Sequence, residues 1–232
     1  MKRVEGSLRE DSPSRQRLAR NDRIRKALQG IYGRLYRAYG PQHWWPGDTR
    51  LEVAVGAILT QNTAWGNVEK AIGVLRSRGL LRLKRLTRLS PTELAPFIRS
   101  AGFYNIKAAR LVAFLSWLKS KRGFHALTRT STAELRSQLL ACHGIGPETA
   151  DSILLYALDR PVFVVDAYTR RIMSRYGLID GDESYETLRS LFESSLPRSP
   201  RLYNEYHALL VRLAKTHCRT RPVCDLCPLA EG

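Results

Sequence analysis

Residues 142–151 read CHGIGPETAD, between two segments whose apolar residues follow a helical spacing. Gly144 and Gly146 break the first helix and leave their backbone N–H groups uncovered. Pro147 suits the first turn of a second helix, where its missing N–H is not needed. Since amides exposed at the start of a helix bind anions, the stretch predicts a helical hairpin that holds a nucleic-acid phosphate. The predicted contacts are Gly144, Ile145, Gly146 and Thr149. A plain corner between two helices is the alternative.

Apolar residues recur at helical spacing along most of the chain. Examples are Ile24, Leu28, Ile31 and Leu35 near the start, and Leu202, Tyr206, Leu209 and Leu213 near the end. The β-rich run at residues 162–165 is too short and too isolated to seed a sheet. The sequence therefore predicts an all-α fold.

The chain is strongly basic, because 38 Lys and Arg against 21 Asp and Glu give its 232 residues a net charge of +17 at pH 7. Such a charge favours a polyanionic partner, and contacts from Lys and Arg to phosphates give an affinity that falls steeply with salt. An anionic membrane is the competing partner, but no apolar run reaches the roughly 18 residues of a spanning helix, and no signal peptide is evident. We expect a soluble cytoplasmic monomer that binds nucleic acid and no membrane.

Four motifs follow one another along the chain. They are LTQNT at residues 59–63, GFYNIKA at 102–108, the hairpin at 140–151 and VVD at 164–166. Through these motifs, nearly the whole chain resembles the helix-hairpin-helix DNA glycosylases of the endonuclease III superfamily. The resemblance implies double-stranded DNA containing damaged bases as the partner, and an essential aspartate at Asp166. It also implies that Gln61 is the wedge that fills the hole left by a flipped base. A polar residue at the end of a helix is the alternative for Gln61.

The same resemblance implies two helical domains with a DNA-binding cleft between them. Residues 48–159 would form a helical barrel that carries the hairpin, and residues 22–47 and 160–232 a discontinuous second domain. Turn residues near Gly47 and at Arg160-Pro161 mark the two crossings. Residues 1–21 are basic and lack apolar periodicity, so we expect a disordered arm there.

Asp166 is the first candidate for catalysis. It ends a Val-Phe-Val-Val run and precedes Ala167, so it is also placed to cap the following helix. The two roles are compatible. In glycosylase chemistry, a carboxylate near C1′ stabilises the cationic sugar as the base leaves, or helps a water molecule to attack it.

Glu148 occupies the position at which strand-cleaving members of the resembled superfamily carry a lysine that forms a Schiff base. A glutamate has no amine, so the resemblance implies a monofunctional glycosylase; a favourable charge in the first turn of a helix is the alternative for Glu148. A bifunctional glycosylase and lyase would need another lysine, such as Lys107 or Lys215. A non-catalytic binder of DNA structure is the remaining alternative, and Asp166 together with the tryptophans described next favours the enzyme.

Three tryptophans lie near these motifs. Trp44 and Trp45 precede the first barrel helix, and Trp65 follows the LTQNT segment. A tryptophan is usually a core residue, and that is the alternative for each of them. Together they resemble the 3-methyladenine glycosylase branch, in which aromatic side chains sandwich the flipped base. A cationic alkylated purine gains about 0.5–2 kcal/mol on an indole face, so alkylated purines are the expected substrates.

Three cysteines near the end of the chain follow the pattern C-x5-C-x2-C, namely Cys218, Cys224 and Cys227. Clustered thiols in an intracellular protein favour a metal over a disulfide. The resemblance implies a [4Fe-4S] cluster with a structural role, although the fourth cysteine position would be 233 and the first spacing is one residue shorter than usual. Zinc with His217 as fourth ligand and a metal-free loop are the alternatives. Cys142 stands apart, and we expect a small buried hydrophobe there.

Overall fold

The protein is represented by a computed structural model that describes residues 13–44 and 47–230, with only the backbone for residues 13–19. Within these ranges every regular element is helical and no strand is formed, which confirms the predicted all-α fold. The run at residues 162–165 is extended but pairs with no other segment in the described part of the chain. No helix within it combines the length and the apolar character needed to span a membrane.

The helices follow in chain order. They are α1 (Pro13–Tyr39), α2 (Arg50–Leu59), α3 (Trp65–Ser77), α4 (Leu83–Leu86), α5 (Pro91–Leu94), α6 (Tyr104–Ser120), α7 (Thr132–Leu140), α8 (Pro147–Ser152), α9 (Ala167–Arg175), α10 (Tyr185–Ser195) and α11 (Pro200–Thr216). Short 3₁₀ segments at Ala95–Ala101 and Phe124–Arg129 follow α5 and α6. A π-helical turn at Ile153–Ala157 extends α8.

Side-chain caps explain where six of these helices begin. In each case a Ser, Thr or Asp oxygen accepts a hydrogen bond from the amide three residues further on, which satisfies one of the free N–H groups of the first turn. The capping residues are Thr49, Ser90, Ser131, Asp166, Ser184 and Ser199. The sequence thus fixes these boundaries locally, including the start of α9 at the candidate catalytic residue.

Helix α1 is longer than its apolar pattern predicts. It begins at Pro13, so the disordered arm predicted for residues 1–21 is wrong for residues 13–21. The physical reason is intrinsic propensity, since residues 15–20 are Arg, Gln, Leu and Ala, all good helix formers. Residues 1–12 lie outside the described ranges. Helix α1 packs against α10 and α11; the exact domain boundaries stay a prediction.

Helix α2 forms the centre of the core. Eight of its ten residues are buried, and it packs against α3, α6, α8 and the π-helical turn. An apolar helix covered on several sides in this way is a core helix. Both ends of α2 are therefore held firmly, and its C-terminal end leads directly into the LTQNT segment.

The extended run at residues 162–165 brings Asp166 to its position. All four side chains of the run are buried. Phe163 stacks on Phe192 of α10 with ring centroids 3.9 Å apart, and its amide donates to Glu193 Oε1 at 2.9 Å. The chain passes from this anchored segment straight into α9, so Asp166 is fixed from both sides.

A network of charged side chains ties the hairpin helices to α10. The fully buried carboxylate of Asp151 accepts two hydrogen bonds from Arg136 of α7, at 2.7 and 3.1 Å. Arg136 also contacts Glu186 of α10, and Arg189 bridges Glu186 and Glu193. A paired guanidinium and carboxylate in this geometry fix the angle between helices, because moving either would leave a buried charge unpaired.

Candidate active site

The hairpin has the predicted form, with α7 ending at Leu140 and α8 beginning at Pro147. Gly144 has a φ of +76°, a conformation that side chains other than glycine rarely adopt. The side chain of Arg110 lies directly over it, so that a Cβ at residue 144 would be 2.3 Å from Arg110 Cγ. Gly146 has open space where a Cβ would lie. The first glycine is therefore required by the turn, and the second leaves the start of α8 uncovered.

The four predicted phosphate contacts differ in what they offer. Within the described residues, the amides of Gly144 and Gly146 donate no hydrogen bond, so both are available to an anion. The amide of Ile145 donates to Cys142 O at 3.1 Å and its side chain is buried, so it offers no free donor in this arrangement and its phosphate contact stays a prediction. The hydroxyl of Thr149 already accepts a hydrogen bond from Gln61. The backbone amide of Thr149 lies in the first turn of α8, where helices have free N–H groups.

Gln61 lies against the hairpin. Its Nε2 donates to Gly144 O at 3.0 Å and to Thr149 Oγ1 at 2.9 Å, and its Oε1 accepts from Arg110 at 2.5 Å. Insertion of this side chain into a duplex requires these bonds to break. The predicted wedge residue and the predicted phosphate site are thus in direct contact, which the sequence did not reveal.

Lys107 of the GFYNIKA motif has a structural role. Its side chain is buried, and its Nζ donates to Leu59 O at 2.7 Å, to Ala101 O at 2.7 Å and to Thr63 Oγ1 at 2.6 Å. Burial, and to a lesser extent Arg110, lowers the pKa of Lys107 to about 8. An amine held by three acceptors in the core cannot reach a sugar, so Lys107 is wrong as a candidate lyase residue. It fastens the LTQNT segment instead.

A cavity of about 440 Å³ opens between the starts of α8 and α9. Its walls include Glu148, Asp166, Arg170, Arg171 and Tyr185. The cavity therefore places the candidate catalytic aspartate, the residue in the lysine position and two cations around one space. A pocket of this size, with a few convergent polar groups, is where a ligand is expected to bind.

Asp166 both caps α9 and faces this cavity. Its Oδ1 accepts from the amide of Thr169 at 2.7 Å and from the Thr169 hydroxyl at 2.8 Å. Burial acts to raise the pKa of Asp166, but attraction to the imidazole of His207 and the hydrogen bonds from Thr169 outweigh it and hold the pKa below its ordinary value. The carboxylate is ionised at neutral pH, as the proposed chemistry requires.

The same surroundings shift the pKa of Glu148 in the opposite direction, upwards. Its side chain reaches solvent on the cavity wall. Partial desolvation is the main cause that raises its pKa, and repulsion from Asp166 is the second. Two neighbouring carboxyl groups whose pKa values are pushed apart are able to take different roles, one ionised and one able to carry a proton. A carboxyl group, and not an amine, therefore lines the cavity at residue 148.

Trp44 is the predicted pocket residue that the structure links to Asp166, through the ring of His207. Its indole stacks on the ring of His207, with centroids 5.4 Å apart, and lies 5.6 Å from the ring of Tyr156. His207 in turn lies 3.4 Å from Asp166 Oδ2. Sequence reasoning missed His207 and Tyr156, because neither belongs to a motif and both come from distant helical segments.

The other two tryptophans differ from Trp44. Trp65 lies against α2, where its ring would be 3.4 Å from a Cβ at Gly56, and its Nε1 donates to Glu69 at 2.7 Å. In the described part of the chain it makes no ring contact with Trp44. Trp45 lies outside the described residues. Their roles in a base pocket stay predictions.

The cysteine loop does not form a metal centre in this arrangement. Cys218 and Cys227 are half-buried, Cys224 is exposed, and the Sγ of Cys218 accepts a hydrogen bond from Arg175 at 3.5 Å. Among the described residues, no three His, Cys, Asp or Glu side chains converge as metal ligands. The thiols are therefore not gathered as ligands here, and the [4Fe-4S] cluster implied by the resemblance and the alternative zinc site stay predictions.

The all-helical fold, the glycine hairpin and the aspartate-lined cavity beside it fit the helix-hairpin-helix DNA glycosylases that the sequence motifs resemble. The sequence profile of the HhH-GPD superfamily of base excision DNA repair proteins matches residues 55–198. The chain belongs to that superfamily, which confirms the resemblance seen in its motifs.

Individual relatives agree with this assignment. A Methanocaldococcus jannaschii protein, provisionally assigned as a DNA repair glycosylase, is 48% identical over 204 residues, which cover 87% of this chain and 93% of that protein. The crystal structure of H. pylori 3-methyladenine DNA glycosylase bound to 1,N6-ethenoadenine shares 30% identity and a TM-score of 0.69, covering 84% of this chain and 97% of that one. A non-covalent endonuclease III–DNA complex shares the fold, with a TM-score of 0.73, 20% identity and coverage of 88% and 92%. The protein is a DNA glycosylase of base excision repair.

Proposed function

We propose that the protein is a monofunctional DNA glycosylase that hydrolyses the N-glycosidic bond of alkylated purines in duplex DNA. One observation carries the proposal. The cavity holds an ionised aspartate, Asp166, and a carboxyl group at residue 148, where a lyase would need an amine. The aspartate supports hydrolysis, and the glutamate removes the Schiff-base route.

The chemistry follows from the charge of the substrate. A purine alkylated at N3 or N7 is cationic, so when the bond from C1′ to the base nitrogen breaks, the electron pair goes to the base, which leaves neutral. The sugar becomes cationic, and the negative charge of Asp166 stabilises it. A water molecule then forms the new bond at C1′ and gives its proton to the carboxylate or to solvent, which leaves an abasic site.

The indole of Trp44, which reaches Asp166 through His207, supports a cationic purine as the substrate. Trp44 is half-buried at this position and offers an indole face on which a positive base binds more strongly than a neutral one. The H. pylori relative, at 30% identity, is a 3-methyladenine DNA glycosylase with a modified adenine bound. Both observations favour alkylated purines over oxidised or mismatched bases.

Among the described residues no lysine lines the cavity, which weighs against the bifunctional alternative. Lys107 is buried with three hydrogen-bond partners, and Lys215 lies in the last turn of α11, away from the residues that line the cavity. The basic surface and the free amides of Gly144 and Gly146 are then used for the DNA backbone, whose phosphates position the protein without specifying sequence.

A panel of duplexes with single defined lesions tests the proposal. The labelled strands carry 1,N6-ethenoadenine, 7-methylguanine, 8-oxoguanine or a G·T mismatch, and the products are separated with and without alkali. We expect excision of the alkylated purines, with strand breaks only after alkali, and excision about 100- to 1000-fold slower in Asp166→Asn prepared in parallel. Excision confined to the oxidised or mismatched bases would refute the proposed substrate class. Strand breaks without alkali would refute the proposed monofunctional mechanism.

A further inference from the structure

His207 is a buried titratable residue that the reaction described above does not use. It lies on the core side of α11 with 5% of its surface exposed. Its Nδ1 lies 2.6 Å from the hydroxyl of Tyr156, and its Nε2 lies 3.4 Å from Asp166 Oδ2. Among the described residues, Nε2 has no hydrogen-bond partner. A buried polar atom left unpaired next to a candidate catalytic carboxylate calls for an explanation.

The neighbours of the ring determine which nitrogen carries a proton. Ionised Asp166 only accepts hydrogen bonds, so the nitrogen that faces it is stable only with a proton on it. In the neutral ring, Nδ1 is then the acceptor and the Tyr156 hydroxyl donates to it; in the doubly protonated ring, the hydroxyl accepts instead. Both forms direct an Nε2–H group at Asp166.

The two oxygens of Asp166 are held unequally. Thr169 supplies two hydrogen bonds to Oδ1, which fix that oxygen as the cap of α9. Oδ2 accepts no hydrogen bond within the described residues, and His207 Nε2 lies 3.4 Å from it. Oδ2 is therefore the oxygen available to the sugar or the attacking water, and His207 sets the direction of its charge.

We propose that His207 is a positioning residue for Asp166, and that its Nε2–H group closes on Oδ2 when a damaged base enters the cavity. A shift of about 0.5 Å brings this pair to the distance of a charge-assisted hydrogen bond. Hydrogen bonds of catalytic groups are often long in the free enzyme and tighten in the complex. This inference rests on the proposed function.

The stacking of Trp44 on His207 explains how a bound base moves His207 towards Asp166. Its indole stacks on the His207 ring at an angle of 10° between the two planes. A base that binds on the indole presses on the ring behind it, and that ring faces Asp166. Occupation of the aromatic surface and alignment of the carboxylate are thus coupled through one stacked pair.

Two substitutions separate positioning from folding. His207→Phe keeps an aromatic ring against Trp44 but removes the donor, whereas His207→Gln keeps a neutral N–H donor. We expect His207→Phe to slow single-turnover excision about 10- to 100-fold, the effect of one hydrogen bond to a charged group, with unchanged duplex affinity. His207→Gln should restore most of the rate. The exposed His125→Phe is the matched control, with no expected change.

A carboxyl NMR titration of Asp166 provides a readout that needs no substrate. Asp166, Glu148 and Tyr156 are the titratable groups around His207, and all are kept in these variants. We expect the pKa of Asp166 to rise in His207→Phe. An unchanged rate with an unchanged pKa would overturn the proposal, and so would a folded His207→Gln as slow as His207→Phe. If the unmodified protein excises no alkylated purine, the proposed function fails, while the titration still decides whether His207 acts on Asp166.

Discussion

Asp151 and Asp166 are buried aspartates on either side of the π-helical turn, and they differ in their partners. The side chain of Asp151 is 0% exposed, and Arg136 binds both of its oxygens. The side chain of Asp166 is 15% exposed, borders the cavity, and has neither Arg nor Lys as an ion-pair partner among the described residues. A carboxylate neutralised by arginine holds helices together, whereas one without such a partner keeps its charge for a cationic sugar. The comparison predicts that one aspartate serves stability and the other serves catalysis.

Asp166→Asn should produce the largest effect. Asparagine also caps helices and has nearly the same shape, so the fold and the duplex affinity should be kept. The charge that stabilises the sugar cation is lost, and single-turnover excision should fall about 100- to 1000-fold. Excision near the unmodified rate would remove Asp166 from the reaction and end the contrast with Asp151.

Asp151→Asn should act on stability instead. Breaking a buried ion pair leaves the guanidinium of Arg136 with the exposed Glu186 as its one charged partner among the described residues, and the free energy of unfolding should fall by about 3 kcal/mol. For a chain of this length, that lowers the midpoint of thermal unfolding by about 6–12 °C. Excision per folded molecule, measured well below that midpoint, should stay close to the unmodified value. A specific loss of excision in a stable variant would show that the two aspartates do not divide the roles.

Lys107→Met extends the comparison to a buried cation. The substitution leaves Leu59 O and Thr63 Oγ1 without their donor, while Ala101 O keeps the Thr63 hydroxyl at 2.6 Å, and it should cost about 2 kcal/mol of unfolding free energy. Lys119→Met, on the exposed face of the same helix, is the control and should change stability little. Chemical denaturation of both variants measures the difference. Equal stability of the two would mean that Lys107 does not fasten the LTQNT segment.

Gly146→Ala should have the smallest effect. The methyl group has open space, so the fold should be kept, but it covers the amides at the start of α8. Affinity should fall about 3- to 10-fold, the value of roughly one hydrogen bond, and equally for damaged and undamaged duplexes. Gly73→Ala, also in open space, is the control. Gly144→Ala is not a clean test, because its Cβ would meet Arg110. A loss restricted to damaged DNA would place Gly146 in the pocket instead of at the backbone.

Local chemistry explains what the sequence could predict. The helices, their caps and the glycine hairpin depend on residues within a few positions of one another, and the same local pattern predicts Asp166 as the cap of α9. Its catalytic role is what the family resemblance implies. The helical character of residues 13–21 is also local, but it depends on helix propensity and not on apolar periodicity.

Contacts between distant segments explain the rest. Tyr156 and His207 are separated by 51 residues, and Lys107 bonds to Leu59 across 48, so no motif records either contact. The partner of Gln61 on the hairpin is 83 residues away. For the cysteines, the spacing describes the order of the thiols, but whether Cys218, Cys224 and Cys227 converge depends on how the loop after α11 packs.

Borohydride trapping tests the central claim most directly, because it detects a Schiff base between protein and sugar. The protein is incubated, in the presence of borohydride, with a duplex that carries a lesion it excises. An endonuclease III is the positive control, and Glu148→Lys is the variant that places an amine at the cavity. We predict no covalent adduct for the unmodified protein, with an abasic product that breaks only in alkali. An adduct formed by the unmodified protein as efficiently as by the positive control would contradict the hydrolytic reaction assigned to Asp166.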